Sequence, residues 1–311
     1  MRILAISRAP IMAKGKLTIS IDLELAWGVW DVLTAEHIHL AETAERPICA
    51  ALIELFDRYE IPATWAIVAA LLDEASSSSR PGSKACWYAP DIIEQLLGAK
   101  VAHEVGSHSG RHIYFDNALP SEARADLDFA KDVHSAHKLP FKSFVFPRGG
   151  CGHFDQLARV GLRTLSYADV GWTIAARRAG PHAVRIANLV DQILPIPPHP
   201  AGATQRDGLV ELEKSMLLMG RNGVRRFIRP GVTRAKCRLG LERACRTGDT
   251  FHLWFHPSNF YYRRDEQLAT LAWFLEHAAN EASLGRIEIC TMGSYATSLL
   301  PARAPGPQAV V

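Results

Sequence analysis

The sequence has 311 residues, 48% of them hydrophobic and 22% charged, with a formal net charge of +3 at pH 7. Such a chain buries one large core or at most two modest ones, which excludes a disordered or fibrous protein. Its six cysteines, at 49, 86, 151, 237, 245 and 290, include no C-x-x-C pair and suit reduced thiols in a cytoplasm better than a secreted disulfide framework.

Residues 1–15 read as an N-terminal extension. Arg2 and the short apolar run 3–6 are followed by Arg8, so neither a leader peptide nor a membrane span is expected. Residues 16–27 alternate as a strand, with Leu17, Ile19, Ile21, Leu23 and Leu25 on one face and Thr18, Ser20, Asp22 and Glu24 on the other. Asp22 and Glu24 therefore look the same way. Gly28 follows, so the two acids stand near the strand's C-terminal end, where α/β proteins place their chemistry. Two acids on one buried face are costly unless a cation or a proton separates their roles.

A helix is expected over 46–59, a strand over 63–69, a Ser-rich turn over 76–83 and a helix over 91–97. Residues 101–107 read as a short strand opening onto His108-Ser109-Gly110-Arg111-His112. The i, i+4 spacing of His108 and His112 brings their rings to one side of a helical turn, within reach of one ion. With 13 His in the chain, about half of one such pair is expected by chance, so the weight comes from its place after a strand. His103 and Glu104 read as core or supporting groups. Ser121 is expected to cap a helix running to 137; strands follow over 143–146, 162–168, 193–196, 250–256 and 287–291, with a short helix over 154–160.

The pair His252 and His256 has the same spacing and another context. Phe251, Leu253 and Phe255 alternate with His252, Trp254 and His256, which predicts a strand and sets the two rings about 13 Å apart at roughly 3.3 Å per residue. They cannot share one metal. His256, before Pro257 at the strand's end, is the catalytic candidate, and His252 reads as structural.

Ser20-Ile21-Asp22-Leu23-Glu24, His108-Ser109-Gly110-Arg111-His112, Phe146-Pro147-Arg148 and Trp254-Phe255-His256, in that order, resemble the polysaccharide deacetylases, carbohydrate esterase family 4, in the branch that carries D-x-[DE]. The His segment matches the family pattern fully; the acids are separated by one residue, and Arg148 follows its proline instead of preceding it. Asp169-Val170-Gly171-Trp172 only partly echoes the family's D-x-x-D-W segment. The resemblance implies a metal triad of Glu24, His108 and His112, with Asp22 as base, His256 as acid and Arg148 keeping Asp22 ionised and aimed. The ion is expected to be Zn2+, with Co2+, Ni2+ or Fe2+ also fitting a carboxylate and two imidazoles. The implied reaction is attack of a metal-activated water on the amide of an N-acyl sugar, most simply N-acetyl, free or linked to a lipid or nucleotide. Trp27, Tyr114 and Trp254 are candidates to stack on sugar rings.

Alternating strands and helices, read with the family, predict an irregular parallel (β/α)7-8 barrel over 16–300, with a doubly wound open sheet as runner-up. Residues 301–311 are expected to be a disordered tail. Residues 208–248 break the rhythm and read as a basic insertion: from Arg221 to Arg246 there are nine Lys or Arg and one acid, Glu242. The stretch suits an anionic membrane surface or an anionic substrate, against a plain solvated face; no motif suggests nucleic acid. Two other classes stay open. One is a metal amidohydrolase or deformylase acting on another small amide or imide, and the other a non-catalytic carbohydrate-binding relative, whose mark would be loss of a base or ligand.

Overall fold

The computed structural model describes residues 14–167 and 193–299. Its organising element is β1 (Gly15–Leu23), which keeps the predicted alternation but ends four residues short of the expected strand, whose last part is the 3-10 turn Leu25–Val29. Leu17, Ile19, Ile21 and Leu23 face the surrounding helices in the main apolar core, while Thr18, Ser20 and Asp22 face the opposite, enclosed side. β2 (Thr64–Ile67), β3 (Glu104–Ser107), β4 (Ser143–Val145) and β5 (Thr164–Tyr167) add to one side of β1 in turn, each parallel to the last. β9 (Thr250–Phe255) adds, also parallel, to the other side.

The sheet closes through a single extended run. β6 (Ala203–Arg206) and β7 (Leu209–Glu213) form an antiparallel hairpin across Asp207 and Gly208, whose positive φ angles of 50° and 78° make the tight turn. β7 pairs with β5 and, three residues on, β8 (Met216–Leu217) pairs with β9. Between them the Lys214 N–H donates to the Tyr167 carbonyl and the Ser215 N–H to the His252 carbonyl. Residues 209–217 are thus one staggered strand that completes a parallel ring of seven among the described residues, an irregular (β/α) barrel. An open doubly wound sheet is ruled out, since both of its edges are paired.

Several expectations change. The start of the supposed basic insertion is this closing strand, and the helix Pro230–Thr247 buries Cys237, Gly240, Leu241 and Ala244, so 208–248 is built into the barrel wall. Gly240 is required there, because a Cβ would stand 2.6 Å from the Phe251 ring. Residues 193–196 form no strand. Helices Ala35–Thr43 and Arg264–Ser283 are additional to the expected set. Helix Pro120–Ala136 starts before Ser121, on Pro120, with the Glu122 carboxylate accepting the Leu119 N–H. Gly15, placed in the expected extension, pairs with Ile287 of β10 (Ile287–Ile289); the rest of that extension up to residue 13, the Asp169–Trp172 echo and the tail 301–311 lie outside the described residues.

The N-terminal end of the barrel is plugged. In the helix Met292–Leu299, Met292, Tyr295 and Ala296 pack on Ala66, Val145, Val210 and Leu212. Glu104 accepts from the Gly293 N–H and the Thr64 hydroxyl, so it caps the plug and takes no part at the other end. Function is left to the C-terminal mouth.

Candidate metal centre and catalytic groups

Three strand ends deliver the polar groups. Beyond β1 the chain turns sharply, with Leu25 at φ 48°, into the 3-10 turn Leu25–Val29, and this swings Glu24 over the mouth. Gly28 permits it: a Cβ there would stand 1.9 Å from Glu24 Oε2. Beyond β3, His108 Nδ1–H donates to the Val145 carbonyl at 2.8 Å, which leaves Nε2 to face Glu24. No helical turn brings His112 beside it. Ser109 and His112 adopt left-handed conformations, at φ 71° and 58°, and the loop is held by Asp126, which accepts the Gly110 and Arg111 N–H groups at 2.7 and 2.8 Å.

The result is convergence on one oxygen. Glu24 Oε1 lies 2.8 Å from His108 Nε2, 3.1 Å from His112 Nε2 and 3.4 Å from His256 Nε2. One ligand atom from each of Glu24, His108 and His112 falls within 4.8 Å of the others, which is the donor set and spacing of a divalent cation site. Burial opposes the Glu24 charge, but His256, His112 and His108 outweigh it and hold the carboxyl well below its ordinary range. An anion kept ionised among imidazoles suits a cation.

Asp22 is next to this set and set apart from it. Lys214, immediately after β7, places Nζ 3.0 Å from Asp22 Oδ2, with both side chains buried, and lies 3.9 Å over the Trp254 ring. Burial opposes the Asp22 charge; Lys214, His108 and His256 overcome it and lower its pKa. Asp22 Oδ1 is buried with no hydrogen-bond partner among the described residues. His256 Nδ1 faces Asn259 Oδ1 at 3.3 Å, so Nε2 turns toward the two acids. Burial disfavours its charge, yet Glu24 and Asp22 raise the imidazole to about 9.

Residues 41–167 match the family model described as polysaccharide deacetylase, a stretch that contains both His108 and His112. Over that stretch the chain is similar to the polysaccharide deacetylases. Asp22, Glu24 and His256 stand outside the matched residues, and the barrel alone brings them to the matched pair. No curated protein matches the chain. Among solved structures, a protein of Mycobacterium smegmatis described as a polysaccharide deacetylase is 16% identical, covers 97% of each chain and superposes with a TM-score of 0.63. One of the same description from Pseudomonas aeruginosa PAO1 is 15% identical over 91% of this chain and 90% of its own, with a TM-score of 0.60. The allantoinase Puue is 15% identical over 93% of this chain and 91% of its own, with a TM-score of 0.59. At such identities the likeness is one of fold.

Within this scaffold, two expected residues are placed elsewhere. Arg148 does not reach Asp22. Its guanidinium donates to the Gly28 carbonyl at 2.9 Å and to Asp31 at 2.8 Å, over the Tyr114 ring, and Lys214 holds the place beside Asp22. Trp27 is 1% exposed, edge-on to Trp87 at 5.2 Å with its N–H on the Trp87 carbonyl, so its ring is core and not a sugar platform. Tyr114 donates to Asp31 at 2.5 Å on the rim, and Trp254 lies between Lys214 and His256. Lys214 and Asp126 escaped the sequence reading. A lone Lys inside a strand-like run was the available sign of the first; the second had none.

Proposed function

We propose that the chain is a metal-dependent hydrolase that removes an N-acyl group, acetyl first, from a sugar or a lipid- or nucleotide-linked glycan precursor. The observation that carries this reading is the division of labour between the two acids. Glu24 faces His108 and His112, whereas Asp22 is tied to a buried ammonium and so is a poor ligand for a second cation. A divalent ion on Glu24, His108 and His112, zinc first and cobalt, nickel or iron next, would polarise the amide carbonyl and acidify a water. Asp22 accepts the water's proton through the otherwise unpartnered Oδ1, with Lys214 keeping it ionised. His256, oriented by Asn259, donates a proton from Nε2 to the departing nitrogen, which leaves poorly without one. Trp254, edge-on to His256 at 5.6 Å, and Tyr114, bonded to Asp31, are the aromatic surfaces assigned to the sugar ring.

No disulfide joins the cysteines, which fits a cytoplasmic enzyme. Every residue type the reaction needs is retained, which counts against a non-catalytic relative. One observation favours a second reading. A cleft of about 180 Å³ adjoins Glu24, lined also by Val29, Asn222, Asn259 and Tyr261, and has room for a small amide or imide. The test is metal analysis of the purified protein followed by acetate release from UDP-linked, lipid-linked and polymeric N-acetyl sugars, with cyclic imides in parallel. Stoichiometric metal and acetate release support the sugar reading; imide turnover alone transfers the site to the second; absence of bound metal overturns both.

A further inference from the structure

Residues 222–229 expose Val224 and Phe227, 68% and 74% accessible, although both side chains are apolar. The loop is braced. Buried Arg221 bonds Gln267 in the helix Arg264–Ser283, the Ile228 carbonyl at the loop's far end and Thr233 in the helix Pro230–Thr247. One guanidinium therefore clamps the loop at its base, and the two apolar side chains are held outward as a knob. Arg225, Arg226 and Arg229 surround them; 222–229 contains no acid, and no carboxylate of the described residues pairs with any of the three.

The knob adjoins the mouth of the barrel. Asn222 and Arg225 line the same cleft as Glu24 and Val29. Just past Val29, Trp30 and Val32 are 42% and 54% exposed. Two apolar patches thus flank the opening to the candidate metal centre, and one of them is ringed by arginine. Apolar tips with cations at their base complement the boundary between anionic headgroups and acyl chains, where the tips leave water and the guanidinium groups meet phosphate. The rest of the basic stretch lacks this form. Arg238 pairs with Glu242 and Arg243 with Asp249, along a helix packed on the barrel.

We propose that residues 222–229 dock the protein on an anionic phospholipid bilayer, with Phe227 and Val224 entering the headgroup boundary and Trp30 and Val32 meeting the same surface, so that the cleft at Glu24 opens onto the membrane. This stands independently of the hydrolase reading, since it is read out by binding. The full chain is mixed with vesicles of phosphatidylcholine alone, or of equal parts phosphatidylcholine and phosphatidylglycerol, and separated by flotation at low and high salt. Binding is expected to the anionic vesicles only and to weaken with salt. Arg226→Gln with Arg229→Gln should lower partitioning by about 25-fold, near five-fold per cation. Val224→Ser with Phe227→Ser should lower it about ten-fold with every charge in place. Because all four positions are exposed, an unchanged thermal transition confirms that these variants fold. Absence of binding at low salt overturns the proposal. So does binding indifferent to the Val224 and Phe227 changes, which would leave a purely electrostatic surface open to nucleic acid as well, or loss of a dimer in those same variants, which would make a second copy the occupant.

Discussion

His108 with His112 and His252 with His256 share one spacing in the sequence and have opposite fates in the molecule. The first pair brings both rings onto one carboxylate oxygen, with ring centroids 5.1 Å apart, because a loop with two left-handed residues folds the chain back. The second runs along β9. His252 is sealed inside the barrel against Ser20 and the Glu213 carbonyl, while His256 emerges at the mouth. Burial, then Lys214, lowers His252 to about 3; the two acids raise His256 to about 9. Spacing sets which residues can meet, and backbone conformation decides whether they do.

The strongest way to break this contrast is to exchange the damage. His112→Ala should lose bound metal and all measurable turnover together, whereas His252→Gln should keep its metal and lose stability instead. Metal content by mass spectrometry beside a denaturation curve decides it. Metal retained in the first variant, or lost in the second, would show that the wrong pair was assigned. The next effect separates the two members of the second pair. His256→Gln should keep the metal yet slow an amide by about 10²-fold or more, the usual scale for a general acid. An activated ester, whose leaving group needs no proton, should be slowed far less. Equal losses on both substrates would remove the acid role.

Lys214 sharpens the contrast from the inside, since it lies beside both Asp22 and His252. Lys214→Met leaves a buried carboxylate unpaired, so a stability loss of about 3–5 kcal/mol is expected with roughly ten-fold slower turnover and unchanged metal content. Lys214→Arg should restore part of the rate. Asp22→Asn combined with Lys214→Met should recover stability and not activity. If the double variant is as unstable as the single one, the pair does not carry the energy assigned to it.

The barrel was legible because it rests on local rules, whereas the grouping of Glu24, His108 and His112 came from the family resemblance. Alternation in β1 fixes the inward face of Asp22, the sharp turn at Leu25 brings Glu24 over the same mouth, and the residues after β3 and β9 reach it in any parallel barrel. What escaped depends on contacts distant in sequence. Lys214 meets Asp22 from 192 residues away, through a strand that changes partner halfway along, and composition disguised that strand as the start of an insertion. Arg148 was assigned by its neighbour Pro147, yet its left-handed conformation, φ 51°, accompanies a guanidinium turned to Asp31. Trp27 carried a plausible position and the wrong environment: it lies one turn beyond the acids and inside the core.

The smallest expected effect concerns buried neutrality. His134, in the helix Pro120–Ala136, is buried with Nδ1–H donating to the Pro140 carbonyl at 2.7 Å, and burial lowers it to about 4. Like His252, it has a folded pKa below the unfolded value of about 6.5. Below that pH the unfolded chain takes up protons that the native state refuses, so stability falls as pH drops from about 6.5 toward 4, and neither group matters above that window. One such group contributes roughly 1 kcal/mol of loss by about pH 5.5. His134→Gln keeps a donor for the Pro140 carbonyl and removes the titration. Its stability should therefore fall less steeply than wild type between about pH 7 and 5, by one proton's slope at most. Parallel curves would mean that His134 titrates alike in the folded and unfolded states, which its burial argues against; a difference confined to pH above 7 would reverse the sign of the linkage.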